Sequence, residues 1–237
     1  MGDSSTEGGV GEGPFWERAE TVEAFAGRAP DQRLLDLLAD YSDPQHTRVL
    51  DLGCAGGRNT VVLAERGFDV HALDTSSAMV EHTRCRVAAL LGPDEAARRV
   101  RVGRMDDLRA FESASVELVV ALGVYHNAQS RHEWDRALAE AARVLKSHGR
   151  LLVANFSPRS DPTGRGLRRL PGQGHRYEGF TSGPLFLVEP DQLDVEMSRH
   201  GLNPEVRTET VTTPTDSGYR VTVNGLYQKA AAAPQRC

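Results

Sequence analysis

The run Val49-Leu50-Asp51-Leu52-Gly53-Cys54-Ala55-Gly56-Gly57-Arg58-Asn59-Thr60 holds the residues best suited to chemistry in this chain. An apolar segment carries Asp51 near its end, glycines follow, and an amphipathic segment begins at Val61, Val62, Leu63 and Ala64. This predicts a strand, a tight loop and a helix start. Glycine lacks the Cβ that would keep a ligand away from backbone N–H groups, so such loops bind nucleotide-like cofactors at the carboxyl end of a strand. Two spacings compete. The dinucleotide pattern G-x-G-x-x-G, read from Gly53, meets Ala55 and Arg58 where its second and third glycines belong. An acid followed by alternating glycines is met by Asp51, Gly53, Ala55 and Gly57. The methyl of Ala55 is its one departure, which a slightly wider turn accommodates.

Further along, Phe68 to Asp74 alternates apolar and polar residues and ends in a second acid. Asp74 stands where the ribose-binding acid of a Rossmann unit stands, and a carboxylate there accepts hydrogen bonds from both ribose hydroxyls. It can equally start the next helix together with Thr75, Ser76 and Ser77. Gly123-Val124-Tyr125-His126-Asn127 follows an apolar run, Val116 to Leu122, that reads as a strand buried on both faces. His126 is the titratable group there whose ordinary pKa suits a base near neutrality; it can also be a structural or pocket-shaping histidine. Tyr125 is a candidate to orient a substrate.

These residues need a scaffold. Strands are expected at 98–102, 116–122 and 150–156. Helical stripes fill the gaps: Met79, Val80, Val87 and Leu91 before Gly92-Pro93, then Trp134, Ala137, Leu138, Ala141 and Leu145 behind the capping box Ser130-Arg131-His132-Glu133. Alternating strands and helices imply a parallel sheet covered on both faces, with ligands at the carboxyl strand ends. Pro190 opens a further helix that Gly201 ends, and two alternating strands over 205–213 and 218–228 close the chain as an antiparallel hairpin.

Residues 47–156 resemble the class I S-adenosylmethionine-dependent methyltransferases. The resemblance rests on the Asp51–Gly57 loop, the acid at the second strand end, the Asp106 loop and Arg143-Val144-Leu145-Lys146-Ser147-His148-Gly149-Arg150-Leu151-Leu152. That last segment is similar to the family's RVLKPGGRLL motif, with His148 replacing a glycine. The segment Gly57-Arg58-Asn59-Thr60 is similar to the tellurite-resistance type of small-molecule methyltransferase. The resemblance implies a Rossmann-like seven-stranded α/β sheet, mostly parallel with a C-terminal antiparallel hairpin, helices on both faces and an N-terminal helical cap. It implies S-adenosyl-L-methionine as cofactor, bound by Asp51, Gly53, Ala55, Asp74, Thr75, Met105, Asp106 and Leu122. Asp74 would bridge the ribose hydroxyls and Asp106 would accept from the adenine amino group. An acidic strand end suits a cofactor that carries an ammonium and a sulfonium. The activity implied is methyl transfer to an O or N atom of a small-molecule acceptor, in secondary metabolism. The alternatives are an NAD(P)-dependent oxidoreductase, which lacks the glycine spacing and a Tyr-x-x-x-Lys pair because Gln129 follows Tyr125, and a non-catalytic S-adenosylmethionine-binding regulator.

Substrate selection must come from segments added to this core. Phe15 and Trp16 in a cap over 14–46 either close the methyl-transfer chamber or simply pack on the sheet. Residues 157–189 carry four prolines and six glycines and read as a lid or substrate insertion, with His175, Arg176 and Tyr177 facing the acceptor. Residues 190–229 complete the same domain. Residues 1–13 read as a disordered tail, in which Met1, Gly2 and Thr6 match a myristoylation pattern by chance. The 237 residues suit one domain, and a net charge of −5 argues against nucleic-acid binding. The short basic clusters read as solvated faces. No apolar run reaches membrane-spanning length. Cys54, Cys85 and Cys237 show no paired spacing, which points to a reducing cytoplasm; Cys54 reads as a small apolar filler. The eight histidines show no metal-ligand spacing, so no metal is expected. Oligomeric state is left open.

Overall fold

The computed structural model describes residues 14–231, so the expected disordered tail, the myristoylation-like residues and Cys237 lie outside the described residues. Two N-terminal helices, α1 (Ala19–Ala26) and α2 (Gln32–Leu37), precede an alternating core. The core runs β1 (Arg48–Leu52), α3 (Arg58–Glu65), β2 (Asp69–Asp74), α4 (Ser77–Leu91), α5 (Pro93–Arg99), β3 (Val100–Val102), β4 (Val116–Leu122), α6 (Arg131–Val144) and β5 (Leu145–Phe156). Short strands β6 (Arg168–Arg169), β7 (Arg176–Glu178) and β8 (Leu185–Phe186) follow. The chain then runs through α7 (Pro190–Ser198), β9 (Leu202–Pro204), β10 (Glu209–Pro214) and β11 (Tyr219–Lys229).

The main sheet has the order β10-β11-β5-β4-β1-β2-β3. Strands β1 to β5 are parallel, and β11 runs antiparallel to both β5 and β10. Neighbours on opposite sides of β1 leave the sheet in opposite directions, which makes the β1/β4 boundary the crevice where such sheets bind ligands. The sheet carries eight strands rather than the seven expected, because β10 covers only residues 219–224 of the long β11, and β9 pairs with Tyr227, Gln228 and Lys229 beyond it.

Alternation along the strands feeds two cores. Leu50, Leu52, Val119 and Ala121 face Trp134, Leu138 and Leu193 on one side. Val49, Leu118 and Val120 face Leu34, Leu63 and Val80 on the other. Two boundaries differ from expectation. Arg98 and Arg99 end α5 instead of opening β3, since Asp94 and Glu95 in its first turn and the two arginines in its last complement the helix dipole. Strand β5 begins at Leu145 rather than 150, and its pairing with β4 shifts register between Val116 and Leu118. The Ser130 hydroxyl caps Glu133 N–H at 3.1 Å as the capping box requires, but the Glu133 carboxylate accepts from Gln129 N–H, one residue early.

Candidate active site

The loop after β1 is held by its neighbours on every side. Gly53 and Cys54 N–H donate to the Leu73 carbonyl at 2.8 and 3.1 Å. A Cβ on Gly53 would lie 2.8 Å from the Val124 side chain, so the ends of β1 and β4 meet there. A Cβ on Gly56 would lie 2.6 Å from Ala26 Cα, so the end of α1 rests on the loop. Ala55 sits at φ +47°, in the left-handed region. The turn has therefore not widened to suit alanine, which adopts a backbone conformation that glycine would hold without strain.

Two acids converge behind the loop. Asp51 is 2 % exposed. Burial pushes its pKa up to about 6; the hydrogen bond from Thr60 Oγ1 and the charge of Arg58 oppose the shift, and Asp74 adds to it. The Thr60 bond is 2.7 Å long. Asp74 accepts from Ala55 N–H on one carboxylate oxygen and from Ser76 N–H on the other, each at 2.9 Å. Burial raises its pKa against the pull of these bonds. Each oxygen has a second lone pair left for a further donor. Thr75 is exposed beside it.

The N-terminal segment is strapped across the start of α4. Ser76 Oγ donates to the Trp16 carbonyl at 2.9 Å, and the Glu17 carboxylate accepts from Ser77 and Ala78 N–H at 2.9 and 3.1 Å. Phe15, Trp16 and Phe25 form an edge-to-face chain with centroid separations of 4.8 and 5.1 Å. Phe15 and Trp16 are half-buried, and the Trp16 carbonyl is tied to Ser76, two residues past Asp74. Met105 and Asp106 are buried below the β3 end. Asp106 already accepts from Arg104 Nε at 2.9 Å, so any second donor shares the carboxylate with that guanidinium. Leu122 is half-buried.

A single-turn 3-10 helix, Tyr125–Asn127, sends adjacent side chains to different environments. Tyr125 is 1 % exposed and packs edge-on to Trp134 at 6.2 Å. This is a core position, not the substrate-facing one expected of it. His126 is buried too, its ring stacked on Phe156 at 4.5 Å. Its Nδ1 has no hydrogen-bond partner among the described residues. Burial pushes its pKa down to about 3, so the imidazole is neutral at physiological pH.

The insertion is two things. Residues Leu185 to Val188 are core, with Phe186 stacked on Trp134 at 4.4 Å, which does not fit a lid over the whole of 157–189. The remainder carries β6 and β7, and the small sheet β6-β7-β8 ties it to the core segment through β8. His175 leans on Phe186 at 5.5 Å, its pKa lowered by burial and then by Arg169, and Tyr177 is half-buried in β7. Phe180 stacks on the far side of the His126–Phe156 pair, 5.2 Å from Phe156. Sequence reasoning did not foresee the bond from Thr60 to Asp51, and it did not single out Thr83, whose hydroxyl donates to the Ala55 carbonyl at 2.7 Å. Each belongs to an ordinary helix stripe, and nothing local marks its partner. Among the described residues, no group of His, Cys, Asp or Glu is arranged to hold a metal, and no helix is long and apolar enough to cross a membrane.

An open parallel sheet with a reversed final strand, a glycine loop at the β1/β4 crevice and an acid ending β2 define a Rossmann-like cofactor domain of the methyltransferase type. Residues 50–153 match the family described as a methyltransferase domain, which supports a place for this segment in the class I S-adenosylmethionine-dependent methyltransferase superfamily. It is 28% identical over 156 residues to the ubiquinone biosynthesis O-methyltransferase of Xanthomonas oryzae pv. oryzae, covering 62% of this chain and 61% of that one. It is 33% identical over 132 residues to the O-antigen chain terminator bifunctional methyltransferase/kinase WbdD of Escherichia coli, covering 52% of this chain and 18% of that protein. The chain thus spans less than two thirds of either relative. Among solved structures, it shares its fold with the Burkholderia thailandensis 1,6-didemethyltoxoflavin-N1-methyltransferase, crystallised with 1,6-didemethyltoxoflavin and S-adenosylhomocysteine. The TM-score is 0.59 at 20% identity, over 91% of this chain and 80% of that one.

Proposed function

We propose that this chain transfers a methyl group from S-adenosylmethionine to an oxygen or nitrogen of a small-molecule acceptor, as in secondary metabolism. The observation that carries the reading is the pair of acids flanking the glycine loop. Asp51 is a buried carboxylate with no ion-pair partner among the described residues, and a cation placed beside it would restore its ordinary ionisation. Asp74 keeps one acceptor site on each oxygen for a diol. S-adenosylmethionine brings such a cation and such a diol, and when bound supplies a methyl group already activated by its sulfonium. Asp51, Gly53, Ala55, Asp74, Thr75, Met105, Asp106 and Leu122 would hold it.

What the protein must add is alignment, since an acceptor fixed behind the methyl reacts as if intramolecular. His126 lies just past the end of β4 with a free ring nitrogen and is neutral, the form in which it can take a proton from the acceptor atom. Its low basicity suits it to orienting the acceptor and passing the proton on. Phe15 and Trp16 exclude water from the cofactor side, and Phe180, with His175 and Tyr177 on the neighbouring small sheet, contributes to the acceptor side.

Calorimetry with S-adenosylhomocysteine and NADPH separates this reading from a dehydrogenase. Binding of the first and not the second is expected, and the reverse would overturn it. Asp74→Ala should weaken S-adenosylhomocysteine at least about tenfold, the loss of charge-assisted bonds worth about 1.5–3 kcal/mol, with the fold intact. Binding without turnover on any small-molecule panel would instead favour a regulator.

A further inference from the structure

Two side chains of α4 fasten consecutive carbonyls of the glycine loop. Thr83 and Arg86 stand three residues apart in that helix and so share a face. A helical threonine can turn its hydroxyl back onto its own helix. Thr83 is fully buried and instead donates to the Ala55 carbonyl at 2.7 Å. Arg86 Nη1 donates to the next loop carbonyl, that of Gly56, at 2.6 Å. The same nitrogen reaches the Ala26 carbonyl at the end of α1, at 3.3 Å. Among the described residues Arg86 forms no ion pair with a carboxylate, so its guanidinium serves these two carbonyls.

Ala55 is the residue on which these bonds act. Its φ of +47° is disfavoured for alanine, and a residue so placed persists only where its surroundings over-determine it. Both of its backbone polar groups are fixed, the N–H by Asp74 Oδ2 at 2.9 Å and the carbonyl by Thr83. Thr83 is thereby linked, through one residue, to the carboxylate proposed to hold the ribose. An Ala55 released by Thr83 would relax toward right-handed or extended backbone, and Asp74 would lose one of the two N–H donors that orient it. The next peptide is oriented too. A trans peptide sets its N–H opposite its carbonyl, so the Thr83 bond turns Gly56 N–H away from α4. Gly53, Cys54, Ala55 and Gly57 N–H all donate within the protein, whereas Gly56 N–H has no acceptor among the described residues. The seat is close on both sides: a Cβ on Gly56 would lie 2.6 Å from Ala26, and one on Gly57 would lie 2.8 Å from Thr83.

We propose that Thr83 and Arg86 are positioning residues for the cofactor: Thr83 holds Ala55 in the left-handed backbone that orients Asp74 and leaves Gly56 N–H for the ligand, and Arg86 locks the loop to the end of α1. This assignment rests on the methyl-transfer reading and adds two residues that act through the loop. It also makes cap and loop one unit, because one guanidinium nitrogen holds a carbonyl of each.

The test measures S-adenosylhomocysteine affinity of the full chain by calorimetry. Thr83→Val keeps the side-chain volume and removes the hydroxyl; it should weaken binding about tenfold, and Thr83→Ser should recover affinity to within about twofold of the wild type. Arg86→Met should weaken binding about threefold or more, and should speed amide exchange over residues 19–26 in the bound state. One comparison separates positioning from general support of the fold. Glycine holds left-handed backbone without strain, so Thr83→Val should cost at least about threefold less affinity in an Ala55→Gly background than in the wild type. Equal losses in both backgrounds overturn the action through Ala55. Unchanged affinity in Thr83→Val, or a loss that Thr83→Ser does not recover, overturns the role of the hydroxyl. Exchange over 19–26 that Arg86→Met leaves unchanged overturns the link to the cap. Should Thr83→Val fail to fold, Thr83→Ala carries the same comparisons. If S-adenosylhomocysteine does not bind the wild type, the methyl-transfer reading fails separately. Amide exchange at Ala55 and Gly57 in the free chain then decides whether the loop is held this way: faster in Thr83→Val and restored in Thr83→Ser supports it, and no change overturns it.

Discussion

Two buried titratable residues set opposite pH demands on the same site. Asp51 has a folded pKa of about 6, above its unfolded value. Between about pH 4 and pH 6 the folded chain keeps a proton that the unfolded chain has released, so this group's contribution to stability falls as pH rises through that window and is flat above it. His126 has a folded pKa of about 3. Below about pH 6.5 the unfolded chain takes a proton that the folded chain refuses, so stability is lost as pH falls toward 3. The two slopes oppose each other across the acid range. Asp51→Asn should stabilise the cofactor-free chain at pH 7 by up to about 3 kcal/mol, and the gain should vanish near pH 4, as read by urea melts. His126→Gln should lower turnover by roughly 10²–10⁴-fold if the imidazole takes the proton. The wild-type pH–rate profile should show no inflection near 6.5, and one there would refute the buried, neutral state. Ala55 and His148 carry a quieter cost, both in left-handed backbone, φ +47° and +62°. Ala55→Gly should stabilise by about 0.5–1 kcal/mol once the added chain entropy is deducted. His148→Gly should gain less, since histidine tolerates that region better.

The elements show which parts of the site can be read from a linear chain. Strand β4 was legible to the residue because a doubly buried parallel strand is continuously apolar, and the turn between β1 and α3 was legible because glycine spacing reports backbone shape directly. Leu185 to Val188 were not legible as core, because the glycines and prolines around them dominate the local signal. Tyr125 and His126 were not separable, because a 3-10 turn has neither the strand's alternation nor the helix's stripe to say which side chain faces inward. The strap was invisible, since Glu17 caps a helix that begins 60 residues later. Glu17→Gln should speed amide exchange at Ser77 and Ala78 and loosen the strap by about 1 kcal/mol, because a charged acceptor at a helix N-terminus is lost. Exchange should also divide the insertion: 185–188 protected throughout, 163–181 protected only with S-adenosylhomocysteine and acceptor together. Uniform protection without ligand would remove the covering role of 163–181.

At the scale of the molecule, the two cores are joined through one sheet, so a ligand at the β1/β4 crevice touches elements from both. Binding confined to the folded state adds about 2.7 kcal/mol at a hundredfold excess over Kd, which for a domain of this size shifts the melting temperature by roughly 5–10 °C. S-adenosylhomocysteine should give that shift and NADPH should not, in a single transition followed by both tryptophan fluorescence and far-ultraviolet dichroism. Two separate transitions would mean that the N-terminal helices melt apart from the sheet.

The eighth strand has a consequence for how copies of this chain meet. A sheet rim with free N–H and C=O groups is a template for another chain's strand, and β11 would offer one over its last residues if β10 were its only cover. By pairing Leu202, Asn203 and Pro204 with Lys229, Gln228 and Tyr227, the chain closes that rim with its own backbone. The outer strand β10 carries a glutamate, three threonines and Pro214, and the opposite rim, β3, is three residues long. Neither rim invites strand addition, so any self-association should proceed through helices or loops, and concentrated solutions should resist β-type fibril growth until β9 is loosened.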